Sequence, residues 1–428
     1  MGIVLGGGTI LTVDDGDRVL PASDLRLDGS RIAAIGAAGT LARPGDTIID
    51  CSHALVMPGF VNVHTHAATA LFRGLADDLP SQSWSGRYRV PGQERFTPAD
   101  FLLSLEAACA EYLLNGVTCI ADRLSEMDRL APVIAASGLR AVVGSTLSDD
   151  RAPADWPATE RVIEMFGTDP SARVFAGLAP HALDSCSDAL LAQCARRAEA
   201  LGCRVFIHVA QSAAEVATIR ARGHRGALDC LLRAGLVGPG LVAAHCIFLD
   251  EAEIEEWPRH GMSIAHCPAS NLKIEARTLA IHRLIGRVPI GLGTDWTASN
   301  NGNDLLSEAR LAALVGKMLA GDPSVLTVRE MLRMLTIDGA RVLGIDRLVG
   351  SIEPGKRADV IVLDLDRLEM SPAHDPASNV IHAASPRSVR DVVVDGEILV
   401  RAGRLTRADE ATLARRHRAL TERLGANG

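Results

Sequence analysis

The chain has 428 residues, of which 47% are hydrophobic and 22% charged, an ordinary composition for a globular enzyme. A net charge of -8 without a basic block argues against a nucleic-acid surface, and no apolar stretch reaches the length of a transmembrane helix. The nine cysteines show no CxxC spacing and the N-terminus lacks the features of a signal peptide, so we expect a cytoplasmic protein. From the charge and the hydropathy we expect neither a nucleic acid nor a membrane as a partner.

The first part of the chain, residues 1–57, shows short strands separated by turns, which we interpret as part of a β-sandwich. The sequence Asp28-Gly29-Ser30-Arg31 joins two apolar runs in the manner of a hairpin. The glycine triplet at 6–8 is not a phosphate-binding loop, because neither a helix nor a lysine follows in the required place. We therefore predict a plain turn at this triplet.

Residues 58–346 show a different pattern, in which short apolar runs rich in Val, Ile and Ala alternate with longer amphipathic stretches. Apolar strands that alternate with helices indicate a parallel sheet covered by helices. Eight such runs fit a closed (β/α)8 barrel of the TIM type. The runs are 60–66, 116–122, 139–147, 173–182, 203–212, 241–249, 262–270 and 289–296, and helices are predicted at 98–115, 185–201 and 250–260.

Strand patterns return in residues 347–408, where Asp395-Gly396 predicts another hairpin turn. We expect this segment to complete the β-sandwich begun by residues 1–57, so that both chain ends build one small domain beside the barrel. Residues 409–428 are predicted to form a charged helical tail. The predicted fold class is therefore α/β, a (β/α)8 barrel with a small β-sandwich domain.

Ionisable side chains recur at the predicted C-terminal ends of the barrel strands, where barrel enzymes place their chemistry. His64 and His66 end the first strand and share one strand face, because they lie two residues apart. Further candidates follow at strands 4 to 8, namely His181, His208, His245, His266 and Asp295. This recurrence predicts a functional site at that rim of the barrel.

Four of these side chains suit a single metal ion. His64, His66, His208 and Asp295 would form a shell of three imidazoles and one carboxylate for one divalent metal, Zn²⁺ in the first place and Fe²⁺ as the alternative, with a position open for water. Metal binding lowers the pKa of such a water toward about 7. We expect Asp295 to orient the water and take its proton, and His245 to hydrogen-bond the water or the attacked atom.

These residues lie in motifs that resemble the amidohydrolase superfamily, specifically its branch of methylthioadenosine/S-adenosylhomocysteine deaminases, guanine-type deaminases and triazine hydrolases. The resemblance spans nearly the whole chain and is carried by PGFVNVHTH (58–66), LFRGLADDLP (71–80), APH (179–181), HVAQ (208–211), AAHC (243–246), HCPASNLK (266–273), GLGTDWTASNN (291–301), TIDGARVLG (336–344) and GSIEPGKRADVIVLD (350–364).

The resemblance implies a barrel with a β-sandwich, the metal ligands named above, and hydrolysis of a C–N or C–Cl bond of a heterocycle. It also implies that His181 and His266 line the substrate pocket and that the protein is a homo-oligomer, a dimer or a tetramer. No lysine stands in strand 4, where relatives with two metals carry a bridging one, and this favours a single metal.

One departure from the family pattern concerns proton transfer. Deaminases of this branch carry a glutamate where this chain has Gln211, and that glutamate delivers the proton to the leaving ammonia. An amide only donates or accepts hydrogen bonds, and general acid–base catalysis is typically worth about 10²–10⁴-fold. Either His245, His266 or Asp295 replaces the glutamate, or the leaving group needs no acid.

A second departure concerns the nucleoside pocket. Adenosine-type members hold the ribose with a glutamate and use an arginine at the end of strand 3, and the matching positions here are Gln93 and Ser145. Since sites built for hydroxyl groups discriminate through such buried partners, we predict that methylthioadenosine and S-adenosylhomocysteine are not the substrates. Trp84, in the divergent loop 80–97, either contacts substrate or packs within a solvated loop.

The predicted function is a metal-dependent hydrolase that cleaves a C–N bond of a small heterocyclic substrate, by deamination or a related amidohydrolysis. Two alternatives stay open at this stage. The leaving group could be chloride, an alkylamine or a ring nitrogen of a triazine-like or purine-like ring, or the chain could be a binding protein whose catalysis is weakened at Gln211.

Overall fold

The computed structural model describes residues 2–75, 77–80 and 96–425. The strands are β1 (Ile3–Leu11), β2 (Val19–Asp28), β3 (Arg31–Ala37), β4 (Thr47–Asp50), β5 (Ala54–Pro58), β6 (Phe60–Thr65), β7 (Val117–Leu124), β8 (Arg140–Leu147), β9 (Val174–Ala176), β10 (Ala179–Pro180), β11 (Val205–Val209), β12 (Leu241–His245), β13 (Ser263–His266), β14 (Ile290–Leu292), β15 (Val360–Asp364), β16 (Val389–Val394), β17 (Glu397–Arg401) and β18 (Arg404–Leu405).

The α-helices cover most of the barrel exterior and the end of the chain. They are α1 (Pro98–Leu114), α2 (Met127–Ser137), α3 (Ala152–Phe166), α4 (Asp188–Leu201), α5 (Ala213–Ala221), α6 (Ala227–Ala234), α7 (Glu251–Glu256), α8 (Pro268–Glu275), α9 (Thr297–Asn300), α10 (Leu305–Ala320), α11 (Val328–Leu335), α12 (Ile337–Leu343), α13 (Pro376–His382) and α14 (Glu410–Gly425). Short 3₁₀ turns lie at Ala67–Phe72, Trp257–His260, Ile281–Arg283, Leu368–Met370 and Pro386–Ser388.

The small β domain is built from both chain ends, as the sequence predicts. Its nine strands form one sheet in the order β18-β17-β16-β15-β5-β1-β2-β3, with β4 paired to β1. The C-terminal strand β15 therefore pairs with the N-terminal strand β5. Apolar side chains from both ends, such as Leu25 and Val362, share one buried core. Burying this common core stabilises the pairing of the two chain ends.

Both predicted hairpins of this domain are confirmed. Asp28 pairs with Arg31 across a two-residue turn, and Val394 pairs with Glu397 across Asp395-Gly396. The predicted turn at the glycine triplet is wrong, because all three glycines lie within β1 and the pairing with β2 shifts its register there. Gly7 has a φ of +74°, a conformation that glycine adopts readily and that this β-bulge requires.

The barrel consists of two parallel sheets whose edges meet. One sheet has the order β10-β8-β7-β6, with β9 paired to β8, and the other has the order β11-β12-β13-β14. Isolated parallel bridges join Thr65 to Asp295 at one seam, and join Leu178 to Val205 and Ala182 to His208 at the other. The predicted α/β fold class, a barrel with a separate β domain, is confirmed.

Some barrel elements are shorter than their sequence pattern suggests. The run 173–182 forms two short strands, β9 and β10, instead of one. The run 262–270 ends as a strand at His266, because Pro268 starts helix α8 at a position where its missing N–H costs nothing. Helix α4 starts at Asp188, since the Ser187 hydroxyl accepts the N–H of Leu190 as an N-cap.

A buried ion pair connects the barrel to the β domain. Arg140, at the start of β8, donates from Nε to Asp359 Oδ2 at 2.7 Å and from Nη2 to Asp359 Oδ1 at 3.1 Å, and both side chains are almost fully buried. The tail helix α14 carries Arg416, which pairs with Glu106 of α1 at 3.1 Å. Within the described ranges, no helix is both long and apolar enough to cross a bilayer. The domain boundaries at residues 57, 346 and 408 stay a prediction.

Candidate metal and catalytic site

Four histidines from three strand ends meet inside the barrel rim. The ring centroid of His64 lies 5.0 Å from His66, 5.0 Å from His208 and 5.3 Å from His245. A register shift in the pairing of β6 with β7 lies between Asn62 and Thr65, the segment that contains His64, and such bulges redirect side chains near functional sites. All four rings are buried. The sequence prediction that these histidines converge agrees with this geometry.

Asp295 completes the cluster from the end of β14. Its backbone N–H donates to the carbonyl of His64 at 3.0 Å, which joins β14 to β6. Its Oδ1 lies 3.1 Å from His64 Nε2 and 3.4 Å from His66 Nε2, while Oδ2 lies 4.0 Å from His245 Nε2. One carboxylate therefore faces three imidazoles.

Two serine hydroxyls hold the other side of this carboxylate. The Ser270 hydroxyl donates to Asp295 Oδ2 at 2.5 Å, and the Ser299 hydroxyl lies 3.2 Å from the same oxygen. Both serines are at most 1% exposed. Hydrogen bonds of this kind orient a carboxylate and stabilise its charged form.

Hydrogen bonds also fix which nitrogen of two rings faces the cluster. His66 Nδ1 donates to the carbonyl of Arg123 at 2.6 Å, and His245 Nδ1 donates to Asn271 Oδ1 at 2.8 Å. Each donor nitrogen carries the proton, so the Nε2 lone pairs of His66 and His245 face the cluster. Neutral imidazole nitrogens held in this way are the usual protein ligands of Zn²⁺.

His208 is held differently from the other rings. Arg123 Nη2 donates to His208 Nδ1 at 3.0 Å, and His208 Nε2 is buried without a hydrogen-bond partner among the described residues. Burial lowers the pKa of the Arg123 guanidinium to about 10, which still leaves it charged at neutral pH. A cationic donor therefore contacts one of the candidate ligands directly, and because Nδ1 accepts this bond, the proton of a neutral His208 ring lies on Nε2, where a metal would displace it.

The electrostatics of the cluster keep its imidazoles neutral. Burial lowers the pKa of His64 to about 3, although the hydrogen bond to Asp295 acts in the opposite direction. Burial and the neighbouring Arg123 charge lower the pKa of His208, and burial also lowers that of His245. Burial alone would raise the pKa of Asp295, but the neighbouring His245 and the contacts with His64 and His66 lower it well below its ordinary value. Neutral imidazoles beside an ionised carboxylate are the protonation states that metal binding needs.

The residues present fit a divalent metal. One ligand atom each from His64, His208, His245 and Asp295 lie within 4.8 Å of one another. The Nε2 atoms of His208 and His245 are buried with no hydrogen-bond partner in the described part of the chain, and such orphaned groups need an occupant. This group includes His245, which the sequence interpretation placed in catalysis, while His66 lies beside it.

The other predicted residues lie at varied places. His181 is half-buried, its ring centroid lies 5.1 Å from that of His208, and its Nδ1 is 2.7 Å from the Ser185 hydroxyl. His266 is buried, and burial lowers its pKa to about 3. Ser145 is buried and its hydroxyl accepts the N–H of Met127 at the start of α2, and its contact with substrate stays a prediction. Trp84 and Gln93 lie outside the described residues.

Gln211 follows the end of β11 at a sharp turn. Ala210 has a φ of +48°, and the carboxylate of Glu215 accepts the N–H groups of Ala210 at 3.0 Å and Gln211 at 2.7 Å. Burial raises the pKa of Glu215 to about 8. Glu215 therefore holds the turn that carries Gln211, a role that the sequence interpretation missed.

An aromatic wall stands beside the histidines. The Trp296 ring centroid lies 5.8 Å from that of His66 and 5.7 Å from that of Phe72, which in turn packs on Phe96 at 5.2 Å. These aromatic residues form a buried cluster with Leu71 and Ala298. Sequence reasoning missed this wall, although Trp296 directly follows Asp295 in the quoted motif. It provides flat apolar surface next to the candidate metal ligands.

Comparisons with known proteins agree with this geometry. The family model described as "Amidohydrolase family" matches residues 55–399. A 5'-deoxyadenosine deaminase of Methanosarcina mazei is 33% identical over 95% of both chains. A 5-methylthioadenosine/S-adenosylhomocysteine deaminase of Syntrophobacter fumaroxidans is 36% identical over 94% of both chains.

Solved structures give the same picture. An adenosine deaminase from Xanthomonas campestris with bound zinc has a TM-score of 0.93 at 32% identity, covering 99% of this chain and 98% of its own. An atrazine chlorohydrolase from Arthrobacter aurescens TC1 complexed with zinc has a TM-score of 0.90 at 25% identity, covering 98% of this chain and 99% of its own.

Proposed function

The chain belongs to the amidohydrolase family, and on this premise we propose that it is a zinc-dependent enzyme that releases ammonia from a planar heterocyclic amine. The observation that carries this proposal is the buried group of His64, His208, His245 and Asp295, whose ligand atoms lie within 4.8 Å of one another. A metal bound there would supply Lewis acidity and a water of lowered pKa. Side chains of the protein would carry out the proton transfers and bind the substrate.

Asp295 is the proposed acceptor of the proton from the attacking water. Its pKa is held well below its ordinary value, against burial, by His245 and by the contacts with His64 and His66, so it is ionised at neutral pH. Ser270 and Ser299 fix its orientation through Oδ2. His245 presents its Nε2 lone pair, because its Nδ1 proton is donated to Asn271. It can therefore bind the metal or accept a hydrogen bond, and it cannot donate one in this state.

The same geometry indicates which group protonates the leaving amine. Gln211 has no proton to give, and burial lowers the pKa of His266 to about 3, so its imidazole is neutral and a poor acid at pH 7. Asp295, once protonated, is the acid that lies in the cluster. We infer that Asp295 returns to the leaving amine the proton that it took from water.

The pocket wall favours a planar substrate. Trp296 lies next to His66 with Phe72 packed against it, which gives a flat apolar surface. Gln211 is half-buried at the rim with an amide that both donates and accepts. A ring carrying an exocyclic amine suits both features. The relatives named as deoxyadenosine and methylthioadenosine deaminases add purine nucleosides to the substrates to be tested, and the prediction against methylthioadenosine and S-adenosylhomocysteine stays a prediction.

A second candidate function is the hydrolysis of a ring-bound chloride. Gln211 favours it, because a chloride leaves without being protonated and needs no acid at this position. The similarity to an atrazine chlorohydrolase at 25% identity supports including this reaction.

The proposal is tested with purified protein, metal analysis and a substrate panel. The panel contains 5'-deoxyadenosine, methylthioadenosine, adenosine, guanine and chlorotriazines, with ammonia and chloride release measured separately. We expect zinc in the protein, ammonia release that stops on chelation, and loss of both in Asp295→Asn. The matched control is Asp322→Asn, an aspartate at an exposed turn whose carboxylate hydrogen-bonds Ser324. Undiminished turnover in the zinc-free protein would refute the proposal.

A further inference from the structure

A buried arginine, Arg123, contacts the candidate metal ligands His66 and His208. Arg123 lies on β7 and is 2% exposed. Its Nη1 donates to the carbonyls of Pro180 and Phe206, both at 3.0 Å, and its Nη2 donates to the carbonyl of His181 at 2.8 Å and to His208 Nδ1 at 3.0 Å. Among the described residues, no carboxylate lies within ion-pair distance of this guanidinium.

These contacts lie at the seam between the two barrel sheets. Strands β10 and β11 belong to different sheets and are joined there through isolated bridges such as Ala182 to His208. Arg123 reaches from β7 to carbonyl groups on both sides of this seam. The guanidinium fork thus ties the end of β10 to the strand that carries His208.

The same residue also fixes a second ring. The carbonyl oxygen of Arg123 accepts the Nδ1 proton of His66 at 2.6 Å. One residue therefore sets the orientation of His66 through its backbone and of His208 through its side chain. Outer partners of metal-binding histidines fix ring orientation and tune metal affinity.

We propose that Arg123 is a positioning residue that holds His66 and His208 in the geometry needed for metal binding. This proposal rests on the proposed metal-dependent function. Two physical effects of Arg123 have opposite signs. Its charge repels a dication, and its hydrogen bond to His208 Nδ1 leaves the proton of the neutral ring on Nε2, from which a metal must displace it. Removing the charge and this bond alone would therefore strengthen metal binding. Its fork holds the ring and the seam, so removing the fork weakens binding, and we infer that the fork dominates because it serves three carbonyls and one ring nitrogen.

The test compares Arg123→Met, which removes charge and fork, with Arg123→Lys, which keeps the charge and loses the fork. The control is Arg129→Met, an exposed arginine of α2 whose ion pair is with Glu126. Zinc affinity is measured on the full chain by competition with a chromophoric chelator, together with the melting temperature with and without zinc. We expect both Arg123 variants to bind zinc about 10–100-fold more weakly and the control to bind as the wild type does.

Two results for the variants would overturn the proposal. Tighter zinc binding by Arg123→Met would show that charge repulsion dominates, and unchanged affinity in Arg123→Lys would show that the fork is dispensable. If neither variant folds, a crystal structure of the zinc-loaded wild type decides. Hydrogen bonds from Arg123 to His208 Nδ1 and from His66 Nδ1 to the Arg123 carbonyl support the proposal, and a rotated ring at either position refutes it. A wild-type protein that binds no zinc would overturn the proposed function as well, whereas zinc-binding wild type with unaffected variants overturns this inference alone.

Discussion

Replacing Ser270 by alanine tests whether the hydroxyls around Asp295 set its basicity. The Ser270 hydroxyl donates to Asp295 Oδ2 at 2.5 Å inside a fully buried pocket. A hydrogen bond to a charged group contributes about 1.5–3 kcal/mol, and about 1.36 kcal/mol corresponds to one pKa unit. Because the lost bond stabilised the ionised form, its removal raises the pKa of Asp295 by roughly one to two units.

The sign of this shift gives the expected result. Asp295 must be ionised to accept a proton, so a raised pKa moves the acid limb of the kcat/KM profile to higher pH by roughly one to two units. Because the pKa of Asp295 lies well below its ordinary value, the assay is kcat/KM for ammonia release between about pH 3 and 9, with zinc content measured in each sample. The matched control is Ser137→Ala at the end of α2, whose hydroxyl donates to the Ile134 carbonyl and accepts the N–H of Leu139. An unshifted acid limb in Ser270→Ala, with zinc content intact, would refute the reasoning.

Three further predictions concern Gln211, Glu215 and Arg140. We expect Gln211→Glu to change kcat for ammonia release by less than about tenfold, because Asp295 already returns the proton; a gain near 10²–10⁴-fold would show that ammonia is not the native leaving group. In the folded state burial raises the pKa of Glu215 from 4.5 to about 8, so the folded protein holds a proton that the unfolded chain releases. The free energy of unfolding therefore falls by up to about 1.4 kcal/mol per pH unit as pH rises through this window, and urea titrations should show a flatter pH dependence in Glu215→Gln; equal slopes would contradict this. Arg140→Met leaves Asp359 buried without its ion-pair partner and should lower the free energy of unfolding in urea by about 3–5 kcal/mol. A loss below about 1 kcal/mol would contradict a stabilising role of this ion pair between the barrel and the β domain.

The sequence predicted the fold and the ring cluster because both follow local rules. Alternation of apolar strands and helices indicates a parallel barrel, and the C-terminal ends of such strands always meet at one rim. His64, His208 and Asp295 each stand at such an end, and the structure brings them together. The hairpin at Asp395-Gly396 could also be predicted, because its turn depends on these two neighbouring residues, and it is confirmed.

Features that depend on partners distant in sequence were missed. The glycine triplet looks like a turn, but its conformation is set by pairing with β2. Ser145 ends an apolar run, yet in β8 the flanking Val143 belongs to the core under the helices while Val142 belongs to a separate inner cluster. Strand alternation then turns Ser145 toward α2, where it accepts the N–H of Met127. The alternation in the sequence does not tell which face of β8 points into the barrel, and the contact of Ser145 with substrate stays a prediction.

Asp122 and Arg123 were also missed, although a signal was present. Two adjacent charged residues end a run that is otherwise apolar, and in a buried strand such residues need a reason. Asp122 accepts the N–H of Ala67 at 2.9 Å, directly after His66, while Arg123 holds His66 and His208. Both therefore serve the strand end that carries the first two histidines. Charged residues inside an apolar strand are, in this fold, a second indicator of the site.

The distribution of carboxylates around the cluster limits how protons can move. Glu215 is occupied by two backbone N–H groups, and Asp122 accepts the N–H of Ala67. In the part of the chain that the structure describes, Asp295 is the carboxylate grouped with the histidines. A single group that first takes and then returns a proton must be ionised in the free enzyme, and no separate acid has to be protonated at the start. The kcat/KM profile should therefore show one acid limb, from Asp295, and no loss of rate on the basic side up to about pH 9. A bell-shaped profile with a basic limb near neutrality would mean that a second group donates the proton. That donor would then have to be sought among the residues around Gln211.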